Sequence, residues 1–263
     1  MKTRLLKGVR VLRRWAVKLA KFTSGLLIYI VSVAIIALGV STLPSMYKEF
    51  LEQKVAKHVY RVYTDRSRES GGTAFSVIAP SGKSYILTNS HICDDAVDDK
   101  LLVEYRGARP IYRKIIENSV HTDLCLLEGF PKAGGLKVAK QHTAKKVTIV
   151  GHPLLNPTVV REGRIIDVRD IDLLDNMFPT KENCSLPKQV IRTRMTILGP
   201  MEYCFVVIRN SRITDIEAYP GSSGSPVIDR LGRVVGVTFA INTTSNWAIY
   251  VSLYDLQKFL KPY

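Results

Sequence analysis

Apolar residues follow three regimes along the chain. Phe22 to Val40 (FTSGLLIYIVSVAIIALGV) is almost wholly apolar, and no charge occurs between Lys21 and Lys48, a stretch exceeding the roughly 20 residues a helix needs to cross a bilayer. A transmembrane signal-anchor in contact with the lipid bilayer is therefore expected over residues 22–43, after a basic tail at 1–21. Between Lys48 and Tyr63 (KEFLEQKVAKHVYRVY) apolar positions recur at roughly helical spacing among mixed charges, which predicts a stalk over 44–62. From Gly71 onward the pattern becomes short β-rich runs separated by turn residues: TAFSVI, SYILT, LLVEY, DLCLLE, KVTIV, TVVREGRIIDV, YCFVVI, SPVI, RVVGVTFAI and WAIYVS. So many strands with almost no helical periodicity between them predict an all-β barrel or sandwich. The length of 63–263 suits two barrels better than one, the first over about 63–140 and the second over about 146–251, joined at the polar stretch Ala139 to Lys145. Ser252-Leu-Tyr-Asp255 has the form of a capping box, and Leu253, Leu256, Phe259 and Leu260 give an apolar face, so a C-terminal helix is expected over 252–261. The less regular segment Asp167 to Glu202, with Pro179, Pro187 and Pro200, reads as an inserted loop or hairpin.

Charge sharpens the first regime. The chain of 263 residues carries a formal net charge of +15. Lys2, Arg4, Lys7, Arg10, Arg13, Arg14, Lys18 and Lys21 supply eight of those charges with no acid among them, leaving +7 for the rest. Such a flank keeps residues 1–21 in the cytoplasm and sends the strand-rich part to the far side, periplasmic or extracellular. A cleaved signal peptide is the rival reading, with Ala37 and Gly39 as small residues at cleavage positions, although the basic and apolar regions are both longer than usual. In that case the protein is secreted. The anionic membrane surface already accounts for the basic tail, so no nucleic-acid partner is expected.

Three short motifs occur in the order His, Asp, Ser: LTNSHIC around His91, HTDLCLLE around Asp123 and YPGSSGSPV around Ser223. The order excludes the α/β-hydrolase arrangement, in which the nucleophile comes first. A serine hydroxyl needs an imidazole to take its proton and a carboxylate to hold that imidazole in one tautomer. His91, Asp123 and Ser223 supply one of each. Gly221 lets the chain turn so that the N–H groups of Gly221 and Ser223 converge on an oxyanion.

With these residues in place, the chain resembles the trypsin-like, two-barrel serine proteases of the chymotrypsin fold, and among them the HtrA/Deg-type proteases. The matching stretches are GTAFSV (72–77), LTNSH (87–91), TDLCLLE (122–128), GHPLLNPTVVREGRI (151–165), TDIEAYPGSSGSPV (214–227) and GRVVGVTFAI (232–241). The resemblance implies a chymotrypsin-like double β-barrel with the active site between barrels, His91 and Asp123 coming from the first and Ser223 from the second. It implies a peptide or protein substrate, no cofactor and no metal, and leaves a homo-oligomer open. No PDZ module is expected. Ser222 stands where digestive relatives carry an aspartate, so activation by a new N-terminus is not expected. The GSSGSP string is also similar to that of bacterial glutamyl endopeptidases.

For specificity, the resemblance puts Glu217 at the base of the primary pocket, followed by Ala218. A carboxylate pointing inward favours Arg or Lys; the alternative is Glu217 turned to solvent or paired with an arginine. Thr238, Phe239, Ala240 and Ile241 are expected to form the pocket wall and the edge that pairs with an extended substrate.

Cys93 and Cys125 each lie two residues beyond a triad member, which makes a Cys93–Cys125 disulfide a candidate; Cys184–Cys204 is the natural second pair, and buried free cysteines are the alternative. His91, Cys93, His121, Asp123 and Cys125 contain enough donors to imagine zinc, but their spacing does not meet zinc rules. His58, His142 and His152 show no partner pattern, and Asn183-Cys-Ser185 and Asn242-Thr-Thr244 fit the glycosylation acceptor pattern. The functional expectation is a membrane-anchored serine endopeptidase. Its rivals are a catalytically silent module of the same fold that binds extended peptides, and a membrane-assembly protein whose basic tail is the working part.

Overall fold

The structure, a computed structural model, describes residues 46–263 apart from positions 48, 52, 106, 132, 133, 177–188, 197, 198 and 243. The chain divides into two compact units, Met1–Phe50 and Leu51–Tyr263. The expected transmembrane segment and basic tail lie outside the described residues; among the described residues no helix is long and apolar enough to cross a membrane.

Leu51–Tyr263 holds two seven-stranded sheets. The first comprises β1 (Val59–Tyr63), β2 (Gly71–Ile78), β3 (Ser84–Thr88), β4 (Lys100–Glu104), β5 (Ile111–Ser119), β6 (Leu124–Leu127) and β7 (Leu136–Lys137). The second comprises β8 (Lys146–Gly151), β9 (Val159–Asn176), β10 (Gln189–Thr196), β11 (Gly199–Glu217), β12 (Pro226–Ile228), β13 (Val234–Ile241) and β14 (Trp247–Val251). In the first sheet the order β1-β4-β5-β6-β3-β2 closes through β1–β2, with β7 added parallel to β2; in the second, β11-β14-β13-β12-β8-β9 closes through β11–β9, with β10 outside. Each is thus a six-stranded closed cylinder plus one strand. Closure gives every cylinder strand two neighbours and removes unpaired edges over the paired registers.

Each barrel has its own core. Tyr60, Val62, Ala74, Ile86, Leu101, Val103 and Leu127 fill the first, together with Ile92, Cys93 and Cys125. Val147, Ile149, Ile216, Val227, Val235 and Tyr250 are among those filling the second. Gly236 lies where any Cβ would run into the Tyr250 ring, so the largest core side chain rests against bare backbone. A short α-helix, α2 (Leu253–Leu260), follows β14. The capping box forms: the Ser252 hydroxyl accepts the Asp255 N–H at 3.2 Å and donates to the Asp255 carboxylate at 2.7 Å. Gln257 on α2 donates to the carbonyls of Ala139 and Lys140 at 2.7 and 3.1 Å, pinning the connection between barrels.

One sequence expectation is corrected. Val59–Val62, assigned to the stalk, belongs with Tyr63 to β1, which is paired with both β2 and β4 and buried except for Arg61. Its run of β-branched and aromatic residues fits a pleated, enclosed strand better than a solvated helix, and short apolar runs do not distinguish the two periods. The irregular stretch after Asp167 takes the hairpin form of its two expected readings, built as a continuation of the barrel strands. Strands β9 and β11 run on past the barrel, paired from Ile165↔Thr214 to Asn176↔Cys204, and β10 adds a hairpin strand on β11 from Gln189↔Val206 to Thr196↔Gly199. Cys184, Pro179 and Pro187 lie outside the described residues.

Candidate active site

His91 lies on α1 (Ser90–Cys93), a single turn that leaves β3 after Asn89. Asp123 ends the turn between β5 and β6 with φ +49, a left-handed conformation that aspartate adopts more readily than most residues. Its N–H closes on the Val120 carbonyl at 3.2 Å. Three bonds lock the two segments together. The Asn89 side-chain amide donates to the Asp123 carbonyl at 2.8 Å, Asp123 Oδ1 accepts the His91 backbone N–H at 3.0 Å, and His91 Nδ1 lies 3.0 and 2.9 Å from the two carboxylate oxygens. The Asp123 side chain is 1% exposed and that of His91 39%. A buried carboxylate that only accepts fixes the proton on Nδ1 and leaves Nε2 as the acceptor. Burial pulls the His91 pKa down, but the hydrogen bond and charge of Asp123, with Asp94 and Asp95 adding to them, outweigh it and hold the imidazole above its usual value.

A disulfide joins Cys93 to Cys125 across the same junction, 32 residues apart in sequence. It ties the end of α1 to β6 and takes the two thiols that a zinc site would need. Cys204 is disulfide-bonded as well.

The loop between β11 and β12 carries Ser223. Tyr219 to Ser222 form a turn with Pro220 second and Gly221 third at φ +86, closed by Ser222 N–H on the Tyr219 carbonyl at 2.9 Å, the arrangement of a type II turn. The four peptide units from Pro220 to Gly224 can be accounted for completely. Their carbonyls, from Pro220 to Ser223 in order, accept from Leu154 N–H (2.5 Å), Thr73 Oγ1 (2.8 Å), Ser225 N–H (3.1 Å) and Thr73 N–H (2.7 Å). The N–H groups of Ser222 and Gly224 are taken by the carbonyls of Tyr219 and Thr238. Among the described residues the N–H groups of Gly221 and Ser223 are left without an acceptor. A trans peptide points its N–H opposite its C=O, so anchoring the Pro220 carbonyl on Leu154 turns the Gly221 N–H the other way. The two donors expected from sequence are the two that the loop leaves free.

Bare backbone lets the loop approach the first barrel. At Gly72 a Cβ would lie 2.5 Å from Ile92 Cδ1 and 2.8 Å from the Ser223 carbonyl oxygen, so the residue next to His91 and the loop of Ser223 close over this glycine. Gly224, at φ +81, lies against the Thr73 carbonyl with no room for a side chain. Ser223 is partly exposed, and among the described residues no hydrogen bond reaches its hydroxyl.

The expected specificity residues separate. Glu217 turns outward: its side chain is 62% exposed, lies 3.7 Å from Arg161 and accepts the Tyr219 hydroxyl at 3.1 Å. This is the paired alternative rather than a bare carboxylate facing a pocket. Ala218, Thr238 and Phe239 are buried, Ala218 within the second core, whereas Ala240 and Ile241 are partly exposed. On its β12 side the ladder of β13 ends at Val237, and Thr238 is still held there by backbone bonds with Gly224 and Ser225, while on its β14 side pairing continues to Ile241. Its last residues therefore offer a free edge beside the Ser223 loop. The sequence reading missed Thr73, His152 and Leu154 as parts of this site. Thr73 and the GHPLL stretch were visible only as matching strings, because their bonds to Gly221, Ser223 and Pro220 join residues far apart in sequence.

The model of the trypsin-like peptidase domain family matches residues 72–237. A probable periplasmic serine endoprotease, DegP-like, from Pseudomonas putida (strain GB-1) is 26% identical over 205 residues, covering 77% of this chain and 36% of the relative. A protein of the same description from Pseudomonas savastanoi pv. phaseolicola is 28% identical over 215 residues, covering 77% and 37%. The chain thus spans little more than a third of the curated relatives it matches. Among solved structures, the active form of the Rv3671c protease from M. tuberculosis superposes with a TM-score of 0.60 at 18% identity, covering 82% of this chain and 84% of that one. The serine endoprotease from Yersinia pestis gives 0.57 at 17% identity, covering 82% and 66%. At these identities the structures establish the chymotrypsin-like double-barrel fold alone. With the family model spanning well over half of its length, the chain belongs to the trypsin-like peptidase domain family.

Proposed function

We propose that the protein is a serine endopeptidase whose peptidase domain, from Val59 to Tyr263, is carried outside the cytoplasm by a membrane anchor at residues 22–43. The observation that carries the chemical part is the pair of free N–H groups at Gly221 and Ser223, in a loop that also carries a serine and closes on Gly72 beside Ile92, next to an imidazole held by a buried carboxylate. In the reaction Ser223 Oγ attacks the substrate carbonyl carbon while His91 Nε2 takes the hydroxyl proton. The carbonyl π pair moves to oxygen, and the oxyanion accepts hydrogen bonds from the two N–H groups. Collapse of that intermediate breaks the C–N bond, and His91 returns its proton to the leaving amine. Water then hydrolyses the acyl-serine by the same steps. Asp123 stays ionised and favours the imidazolium that forms in each half. The edge at Ala240 and Ile241 holds the substrate as an added strand.

Support for the location is of two kinds. The uncharged run flanked by eight cations is a membrane signature, and disulfides persist in oxidising compartments; the matching relatives are described as periplasmic. The test is intact-mass analysis of detergent-purified protein treated with a fluorophosphonate, comparing wild type with Ser223→Ala. One adduct per chain that vanishes in the variant is expected, on a mass that still includes residues 1–43. A folded wild type that takes no adduct refutes the peptidase reading and favours a peptide-binding module.

A further inference from the structure

We infer that Thr73, a first-barrel residue, is the positioning residue that sets the oxyanion donors of the second barrel. This deepens the peptidase reading and rests on it. Thr73 lies on β2 and is fully buried. Its hydroxyl has one proton and two neighbours: the Gly221 carbonyl at 2.8 Å and the His152 N–H at 2.9 Å. A carbonyl can only accept and an N–H can only donate, so the direction is forced: the hydroxyl donates to Gly221 and accepts from His152. Its backbone N–H holds the Ser223 carbonyl at 2.7 Å, and its own carbonyl accepts the Thr88 hydroxyl at 2.8 Å. Every polar group of the residue is used, and half of them act on the loop that carries the free N–H pair.

The bond to His152 extends the grip. His152 opens the turn Pro153-Leu154-Leu155-Asn156, in which both leucines are left-handed, at φ +53 and +56. That conformation strains a leucine, and the turn is held by Leu155 N–H on the His152 carbonyl (3.0 Å), Asn156 N–H on the Pro153 carbonyl (3.0 Å) and His152 Nδ1–H on the Asn156 carbonyl (2.8 Å). It is in this conformation that Leu154 N–H reaches the Pro220 carbonyl. The backing is close: a Cβ on Gly221 would lie 2.7 Å from the His152 oxygen and 3.0 Å from the nitrogens of Leu154 and Leu155. Thr73 therefore fixes the Gly221 carbonyl directly and, through His152, the turn that fixes the carbonyl of the preceding peptide. The Gly221 N–H lies between these two anchored carbonyls, so its aim depends on the one hydroxyl.

The experiment uses the full-length protein in detergent and a fluorophosphonate–rhodamine probe. It resolves probe binding (KI) from the covalent step (kinact) for wild type, Thr73→Val, Thr73→Ser and the Ser223→Ala blank. Valine keeps the volume and the backbone N–H and removes only the hydroxyl. Expected are a kinact at least tenfold lower in Thr73→Val with KI within twofold, recovery to within threefold of wild type in Thr73→Ser, and an unchanged pH midpoint, because His91 and Asp123 are untouched. Losing a role that was only structural lowers the unfolding midpoint and leaves kinact alone. A folded Thr73→Val with kinact within twofold of wild type overturns the inference. If Thr73→Val does not fold, Thr73→Cys, a poorer donor of similar volume, reads the same grip: a kinact below that of Thr73→Ser supports it and a wild-type kinact overturns it. A wild type unlabelled at Ser223 overturns the peptidase reading, and this inference with it.

Discussion

Replacing Cys93 and Cys125 together tests how the junction between α1 and β6 is maintained. The bridge closes a loop of 32 residues in sequence separation, and in the chain-entropy model such a loop removes about 12 cal/mol/K from the unfolded ensemble, or about 3.7 kcal/mol at 25 °C. Both sulfurs lie in the first core, with residue exposures of 4% and 0%, so alanine at both positions also loses a little packing, on the order of 1 kcal/mol. The double variant Cys93→Ala/Cys125→Ala is therefore expected to lose about 4–5 kcal/mol in urea unfolding followed by circular dichroism. The loss has a local side, because each cysteine lies two residues from a group that must stay in register. Fluorophosphonate labelling, measured well below the unfolding midpoint, slows in the same variant. A stability loss under 1 kcal/mol with unchanged labelling refutes the reasoning, since it means that the Asn89, His91 and Asp123 bonds hold the junction unaided.

The raised His91 pKa puts the acid limb of the pH–rate profile above 6.5, since the base must be neutral; Asp123→Asn moves the limb down and lowers the rate by on the order of 10³–10⁴. The sign for stability is opposite. A folded pKa above the unfolded one gives stability that is complete below 6.5 and lost as pH rises through the folded value, whereas His152, depressed chiefly by burial, gives stability lost as pH falls below 6.5. Urea midpoints compared across both windows in wild type and His91→Ala separate the two contributions. Gly224→Ala is expected to abolish labelling and cost several kcal/mol, because a Cβ there meets the Thr73 carbonyl and the left-handed φ of +81 is lost; a labelled, stable variant contradicts the tight approach of the loop.

What the sequence made legible follows from range. Strands with period-two patterning, the capping box at Ser252 and the order His, Asp, Ser are local signals, and local physics writes them into short windows. Val59–Val62 was misassigned because the five residues of β1 are too few to tell a strand's period from a helix's. Glu217 was left with two orientations because its partner, Arg161, comes from a strand 56 positions away. Thr73 and Leu154 were silent for the same reason: each acts through a backbone group of a distant loop, and neither residue type advertises that use. The free edge of β13 depends on where β12 stops pairing, a property of two strands and their bulge rather than of either run.

The bond from Thr73 to Gly221 spans 148 positions, and this has a consequence for when activity can arise. Contacts of such separation are among the last to be made, because the loop they close must be ordered first. A chain whose first barrel has folded while the second is still emerging has His91 and Asp123 in place and no oriented donor pair. Under the proposed function such a chain is inert until the barrels dock, so competence to cut reports complete folding and protects the chain's own unfinished copies.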